Sequence, residues 1–152
     1  MGDKQIYYQT AQEQLKQQLT VVDTLDGKIN PLLAVSGGFV FFFGELVSRN
    51  VFFIGCGFPF FAISMILLLV AYRTKNFQQG PNIDFVKYSL EKDSDINKFY
   101  EETIKTLTDC YTENESKIDR KANLIDWALD LLVIGIIATL LNFAYYLWYS
   151  FL

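Results

Sequence analysis

The sequence contains no histidine, only two cysteines and only three prolines in 152 residues. Without histidine, Ser–His and Cys–His catalytic pairs are excluded, and so is any zinc site that uses an imidazole. Cys56 lies in an apolar segment and Cys110 in a polar one, and neither belongs to a cluster of metal ligands. We therefore predict that the chain is not an enzyme and uses no metal or cofactor.

Charged residues are nearly absent from three long apolar runs, residues 29–47, 51–72 and 131–149, in which Glu45 is the single exception. Each run approaches the ~20 residues that a helix needs to cross a bilayer. Residues 73–124 are strongly polar by contrast. We therefore predict an all-α integral membrane protein with three transmembrane helices and a cytoplasmic helical stalk, in contact with the lipid bilayer.

This pattern divides the chain into four segments. They are a cytoplasmic amphipathic helix (1–28), a transmembrane helical hairpin (29–72), a cytoplasmic helical segment (73–124) and the third transmembrane helix (125–152). Because proline disturbs a helix, we expect a break or a tightening near Gly27 and Pro31 and a kink near Pro59.

The segment from Asp93 onward has apolar residues at helical spacing and no glycine or proline before Gly135. We predict one helix that begins at Asp93 or Ser94 and continues into the third apolar run. The amphipathic helices of residues 3–28 and 93–124 both lead toward the membrane, so they would be parallel and would pack on each other or on copies of themselves. A homo-oligomer follows as a hypothesis.

Lysine and arginine are distributed unevenly around the apolar runs. Nine lie in residues 73–124, three precede the first run, Arg49 alone lies in the hairpin tip, and none follows the third run. The positive-inside rule therefore places the amino terminus in the cytoplasm and the carboxyl terminus outside. Acidic residues are mixed with the basic ones in residues 73–124, so nucleic acid is not an expected partner.

The pattern Asp-x-Lys-x-Asn occurs twice, just before the first and the third apolar runs. Its members are Asp26, Lys28 and Asn30 in the first copy and Asp119, Lys121 and Asn123 in the second. On a helix the Asp and the Asn share one face, and the lysine would extend to the lipid headgroups. The alternative is that juxtamembrane lysines are common and the repetition is chance.

Four polar residues in or beside the runs are candidates for lining or gating a pore: Asp126, Asp130, Asn142 and Glu45. Asp126 and Asp130, one helical turn apart, would form an acidic ring in an oligomer, or else a solvated helix entrance. Asn142 would hydrogen-bond to another helix, in a structural or a transport role. Glu45 is either a functional carboxylate or the partner of Arg49, four residues later.

Small residues four positions apart are typical of close contacts between membrane helices. Two such pairs occur, Ala34 with Gly38 in the first run and Gly135 with Thr139 in the third. They favour helix association, either within the chain or between chains, and indicate no particular function.

The entry to the first run, Leu25–Lys28 followed by Pro31–Gly38, resembles that of bacterial Pycsar-type transmembrane antiphage effectors, in which Asp-x-Lys precedes a Leu-Leu-Ala and small-residue run. Asn114, Ile118 and Lys121 are similar to the approach to the last span in that family. The resemblance implies an effector located in the bacterial inner (plasma) membrane, which it compromises once a cyclic-nucleotide signal is sensed. This chain has no recognisable nucleotide-binding domain, so we expect a separate cyclic-nucleotide sensor or another soluble partner.

Two functions are open at this point. The first is an oligomeric effector that permeabilises or depolarises the inner membrane in antiphage defence, through abortive infection. The second is a non-conducting membrane anchor or accessory subunit that binds a soluble partner through its cytoplasmic helices. In the second case we expect Ile104, Leu107 and Tyr111 to be buried against that partner.

Overall fold

A computed structural model describes four stretches of the chain, residues 2–48, 57–74, 76–81 and 96–150. Over these stretches the chain forms three helices and no strand. The helices are α1 (Gly2–Ser48), α2 (Phe58–Arg73) and α3 (Ile96–Ser150). The all-α class is as predicted.

Helix α1 is continuous for 47 residues and contains Pro31, so the predicted break near Gly27 and Pro31 is wrong. Pro31 removes one backbone hydrogen bond, and its ring crowds the carbonyl of the residue four positions earlier. That residue is Gly27, where a side chain would have no atom within 4 Å. The open space around Gly27 leaves room for the backbone to adjust without ending the helix.

Helix α2 begins at Phe58, with Gly57 at its N-cap and Pro59 in its first turn. A proline in the first turn costs no hydrogen bond, because the first N–H groups of a helix have no partner within it. The expected kink at Pro59 is therefore a helix start in the described part of the chain. The apolar residues 51–56 lie outside the described residues.

Helix α3 is continuous for 55 residues, as the absence of glycine and proline before Gly135 predicted. The structure describes it from Ile96 onward, so the predicted start at Asp93 or Ser94 lies outside the described residues.

The chain forms two compact units. The first unit comprises Met1–Thr24 and Lys75–Asp119, and the second comprises Leu25–Thr74 and Arg120–Leu152. The first unit thus joins the two segments rich in polar residues, and the second joins the three apolar ones.

In the first unit α1 and α3 pack side by side in parallel. The rings of Tyr8 and Tyr100 meet edge to face with centroids 5.8 Å apart. Further along both helices, the Gln18 side-chain amide donates a hydrogen bond to the Tyr111 carbonyl at 3.1 Å. Residue numbers rise together along the two helices, so they have the common direction that the sequence predicted.

The second unit is a bundle of three helices with two apolar layers. One layer contains Ile29, Leu68, Ala71, Ile125 and Ala128. The other contains Phe43, Phe61 and Leu132. From the first layer to the second, residue numbers rise in α1 and α3 and fall in α2, so α2 is antiparallel to the other two helices.

Candidate functional site

The two copies of the Asp-x-Lys-x-Asn pattern meet in the second unit. The Lys121 ammonium donates a hydrogen bond to the Asp26 carboxylate at 2.7 Å and another to the Thr74 carbonyl at 3.3 Å. The Lys121 side chain is 0% exposed, and that of Asp26 is 32% exposed. One ammonium therefore joins α1, the end of α2 and α3.

This geometry corrects the prediction that Lys121 extends to lipid headgroups. A buried ammonium loses its hydration, so it is tolerated only where a carboxylate and further hydrogen-bond acceptors replace the lost water. Asp26 and Thr74 supply these acceptors. Removing one partner of such a pair typically costs ~3–5 kcal/mol, because the other charge is left buried and uncompensated.

The remaining members of the two patterns do not take part in this contact. Lys28, Asn30, Asp119 and Asn123 are all exposed. The pairing therefore uses the first position of one copy and the middle position of the other, a cross-connection that neither copy indicates by itself.

A second polar contact, not indicated by the sequence, joins the same three helices inside the bundle. The Ser64 hydroxyl donates to the Ala128 carbonyl at 2.7 Å, and the Ser36 hydroxyl lies 3.4 Å from the Ser64 hydroxyl. Both serines are fully buried. The sequence offers one signal for this contact, which is the helical spacing of the two serines from the buried apolar residues of α1 and α2. That spacing would have predicted that both serines are buried.

The acidic candidates lie on the outside of the second unit. Asp126 and Asp130 are both exposed on α3, one turn apart. Glu45 is exposed near the end of α1, and its expected partner Arg49 lies outside the described residues. Asp126 and Asp130 are exposed on the described surface of a single chain, so the acidic ring stays a prediction about several copies.

The two small-residue pairs have different surroundings. A Cβ atom at Gly57 would collide with the Thr139 hydroxyl and would lie 2.8 Å from the Gly135 carbonyl, so the start of α2 packs closely on this pair. Ala34 and Gly38 are both exposed, and a Cβ atom at Gly38 would meet nothing within 4 Å. The first-run pair is therefore open to a neighbouring molecule.

Among the described residues, Asn142 bonds within its own helix, so its contact with a helix of another copy stays a prediction. Its side-chain amide donates a hydrogen bond to the Ala138 carbonyl at 2.9 Å, four residues earlier on α3. A backbone carbonyl of the same helix is always within reach of an amide at this spacing, and it satisfies the donor locally.

The first unit contains a loop clamp that the sequence did not indicate. The Asn114 side chain accepts a hydrogen bond from the Gln78 backbone N–H at 2.9 Å and donates one to the Gln78 carbonyl at 2.8 Å. The Cys110 thiol also donates to the Gln78 side-chain oxygen at 3.1 Å. Asn114 is fully buried and makes two of the hydrogen bonds that hold residues 76–81 on α3, and Glu113 and Lys117 add bonds from the exposed side.

The helical face expected to meet a soluble partner is already occupied within the chain. Leu107 is 4% exposed and packs with Leu15 and Cys110 inside the first unit. Ile104 and Tyr111 are partly buried. The prediction that Leu107 is buried against another protein is therefore wrong, because Leu107 is buried within its own chain.

An open cleft of about 550 Å³ lies on the first unit beside this contact. Its apolar lining is Tyr8, Leu15, Leu19, Pro81 and Leu107, and its polar lining is Gln9, Gln12, Glu13, Lys16 and Gln79. An apolar floor with a polar rim is typical of surfaces that receive another side chain or a ligand.

Two helices in the described part of the chain, α1 and α3, are long and apolar enough to cross a membrane. Only 17% of the most apolar window of α1 and 22% of that of α3 is buried, whereas the core helix of a soluble protein is mostly buried. The described part of α2 is apolar but only 16 residues long, shorter than a typical span, so the third crossing stays a prediction.

Comparison with protein-family models, curated proteins and solved structures finds no match to this chain.

Proposed function

We propose that the chain is an integral protein of the bacterial inner membrane whose second unit lies in the bilayer. In this arrangement α1 and α3 cross outward and α2 crosses inward, so the amino terminus is cytoplasmic and the carboxyl terminus is outside. As an oligomer the protein permeabilises or depolarises the membrane in antiphage defence. This activity is the one that the resemblance to Pycsar-type effectors implies.

The exposed apolar surface of the second unit carries the membrane part of the proposal. Side chains such as Leu140, Leu141 and Phe41 are 61%, 66% and 78% exposed. Water would disfavour a contiguous surface of this kind, because exposed apolar area raises the free energy of the folded state by about 25 cal/mol per Å². Lipid tails remove that penalty.

The packing inside the second unit supports an oligomer over a single-chain channel. The ring of Phe61 stacks on those of Phe39 and Phe43, with centroids 4.6 Å and 5.4 Å away. These rings fill the second layer, so an aqueous path would need to run between copies. The exposed carboxylates of Asp126 and Asp130 are available to face such a path.

The proposal is tested by inducing the full chain in a bacterial host and following a membrane-potential dye. We expect depolarisation by the wild type and a clearly smaller effect with D126N/D130N, because a cation-selective mouth loses its charge. The matched control is D109N/E115Q, which removes two exposed charges from the first unit. It should depolarise as the wild type does.

The oligomer is tested separately by analytical ultracentrifugation in detergent. A sedimenting species of several chains supports the proposal, and a monomer at every concentration argues against it. Equal depolarisation by D126N/D130N and the wild type would refute the proposal that these carboxylates form an acidic ring. If the protein neither depolarises the membrane nor protects against phage at any expression level, the proposed effector function is refuted.

The second candidate function is a non-conducting anchor that holds a soluble partner, such as a cyclic-nucleotide sensor. The cleft of the first unit favours it, because Leu15 and Leu19 form an apolar floor there beside the charged Glu13 and Lys16. This function predicts an unchanged membrane potential on induction. It also predicts that L19D abolishes phage protection while the protein remains in the membrane fraction.

A further inference from the structure

All lysine and arginine side chains in the described part of the second unit lie at one end of it. They are Lys28, Arg73, Arg120 and Lys121. The hydrogen bonds of Lys121 to Asp26 and Thr74 bring three chain segments together at this end. Lys28 is two residues beyond Asp26, and Arg73 and Arg120 are the immediate neighbours of Thr74 and Lys121.

Three of these four cations are free to meet a partner at the surface. Lys28, Arg73 and Arg120 are exposed, whereas Lys121 is buried with Asp26. Because Lys121 neutralises Asp26, that carboxylate does not cancel the exposed cations. On α3 the exposed Asp119 is the neighbour of Arg120 and offsets one of the three positive charges. Asp126 and Asp130 lie about 9 Å and 15 Å further along the helix than Arg120 at 1.5 Å per residue.

Apolar and aromatic side chains continue directly from the three cations. Leu69 and Val70 are 46% and 44% exposed, one turn before Arg73. Trp127 is 62% exposed, two turns after Arg120. A partner seated here would therefore meet positive charge first, then an indole, and then aliphatic side chains.

Among the residues that the structure describes, the opposite end of the second unit has aromatic side chains and no lysine or arginine. Its exposed aromatic side chains are Tyr145, Tyr146, Trp148 and Tyr149, and no lysine or arginine occurs on α3 after Lys121. Trp127 and Trp148 are 21 residues apart in one helix, which corresponds to about 32 Å and matches a hydrocarbon core of ~30 Å.

We propose that Lys28, Arg73 and Arg120 form a contact surface for the phosphate groups of anionic phospholipids in one leaflet. The proposal rests on the membrane embedding proposed above. Anionic headgroups attract juxtamembrane cations, and tryptophan prefers the interface beneath them. The occupant is a lipid and not a soluble phosphate, because the surface beyond the cations is apolar and would face acyl chains.

The two tryptophans provide the test, since they are the only ones in the chain and report on opposite ends of the same helix. The W148F variant retains Trp127 as the reporter, and the W127F variant retains Trp148. Each full-length variant is reconstituted into vesicles that mix phosphatidylglycerol with phosphatidylcholine, with one of the two lipids brominated. Bromine quenches indole fluorescence on contact, so the two quenching values give the local preference for the anionic lipid.

For Trp127 we expect a preference for phosphatidylglycerol on the order of threefold or more, because each nearby cation strengthens the attraction. For Trp148 we expect a ratio close to one. Inorganic phosphate that replaces chloride at constant ionic strength, so that screening is unchanged, should leave the Trp127 preference unchanged. If phosphate abolishes that preference, the surface binds free anions and the lipid proposal is overturned.

Charge removal tests which cations are responsible. In the W148F background, K28Q/R73Q/R120Q should lower the preference at Trp127 to about one. The matched control K16Q/K98Q/K105Q removes the same number of charges from the first unit and should retain the preference. A preference that survives K28Q/R73Q/R120Q, or that falls equally with the control, overturns the assignment of these residues.

The outcomes separate this inference from the membrane proposal. Equal quenching of Trp127 by the two brominated lipids would refute anionic-lipid contact while leaving the membrane embedding intact. Absence of quenching at both tryptophans by either lipid would refute the embedding itself.

Discussion

In the first and second units the helices pack through side chains at the same helical spacing. The two units differ in which kinds of side chain are buried and which are exposed. In the first unit the buried positions include Gln18, Thr103 and Asn114 among apolar residues. In the second unit the buried positions are mostly apolar, and large apolar side chains also cover the outside. The comparison teaches that the spacing of side chains along each helix determines which helices pack together. The composition of the outer surface determines whether that surface suits water or lipid.

The two units also differ in whether their buried polar groups have hydrogen-bond partners. In the first unit, the Thr103 hydroxyl and the Gln18 side-chain oxygen are buried and have no hydrogen-bond partner among the described residues. In the second unit, Ser36, Ser64 and Lys121 all have partners. A buried polar group without a partner costs ~1–3 kcal/mol, so Thr103 and Gln18 each lower the stability of the first unit, a cost that Ser36, Ser64 and Lys121 do not bring to the second. The following predictions test this difference.

The largest effect is expected from D26L, which leaves the buried Lys121 ammonium without its carboxylate. We expect a loss of about 3 kcal/mol in the free energy of unfolding, at the low end of such losses because Asp26 is 32% exposed. Thermal unfolding of the full chain in one detergent, followed by circular dichroism, measures the loss.

The controls for D26L use the same assay. The double variant D26L/K121M removes both charges and should recover most of the stability, because no uncompensated charge remains. K28M removes the exposed lysine of the same sequence pattern and should unfold as the wild type does. If D26L is as stable as the wild type, or if the double variant is no better than D26L, the ion pair does not hold the bundle.

The next largest effect is expected from G57A in the second unit. The added methyl group would overlap the Thr139 hydroxyl, so α2 must move away from α3. Overpacking of this kind costs ~1–3 kcal/mol in unfolding free energy. The matched control G38A places the same methyl group where nothing lies within 4 Å and should stabilise the helix slightly. Equal effects of the two variants would contradict the close approach of α2 to α3.

A smaller effect is expected from N114A, and only in the first unit. It leaves the Gln78 N–H and C=O groups without their partner, at a cost of about 1–2 kcal/mol. Hydrogen–deuterium exchange should quicken at the Gln78 amide while the second unit keeps its protection. The control N123A removes an exposed asparagine from α3 and should leave exchange at Gln78 unchanged.

The smallest effect is expected from T103V, and its sign is opposite to the others. Valine has nearly the shape of threonine but no hydroxyl, so the unpartnered buried oxygen disappears. We expect a gain of about 1 kcal/mol in the unfolding free energy. T108V changes an exposed threonine that bonds to its own helix and should bring no comparable gain. A destabilised T103V protein would mean that this hydroxyl has a partner, such as water.

Continuous features of the fold were predictable from the sequence, and long-range contacts were not. The uninterrupted α3 followed from the lack of helix-breaking residues before Gly135, and the parallel α1 and α3 followed from their common approach to the apolar runs. The break at Pro31 was wrongly predicted, because the local cost of a proline is real but is outweighed when a glycine precedes it by four residues and the helix packs along its length.

The candidate site was predictable only in part. Asp26 and Lys121 were both singled out from the sequence but assigned to separate helix entrances, because a separation of 95 positions along the chain hides their contact. For Asn142 we predicted a partner on another helix, whereas within the described chain its amide N–H group donates to the Ala138 carbonyl of the same helix. Nothing in the sequence pointed to Gln78, and Asn114 was singled out only through the family resemblance, since an asparagine that binds a loop backbone looks like any other polar residue.

The parallel pairing of α1 with α3 has a consequence for synthesis. Gln18 and Asp26 meet partners that follow them by 93 and 95 residues, so the first helix leaves the ribosome long before α3 exists. At about 5–20 residues per second, that interval is roughly 5–20 seconds. During this time the Asp26 carboxylate has no Lys121 to meet, and the nascent chain depends on water, lipid or a chaperone to hold it.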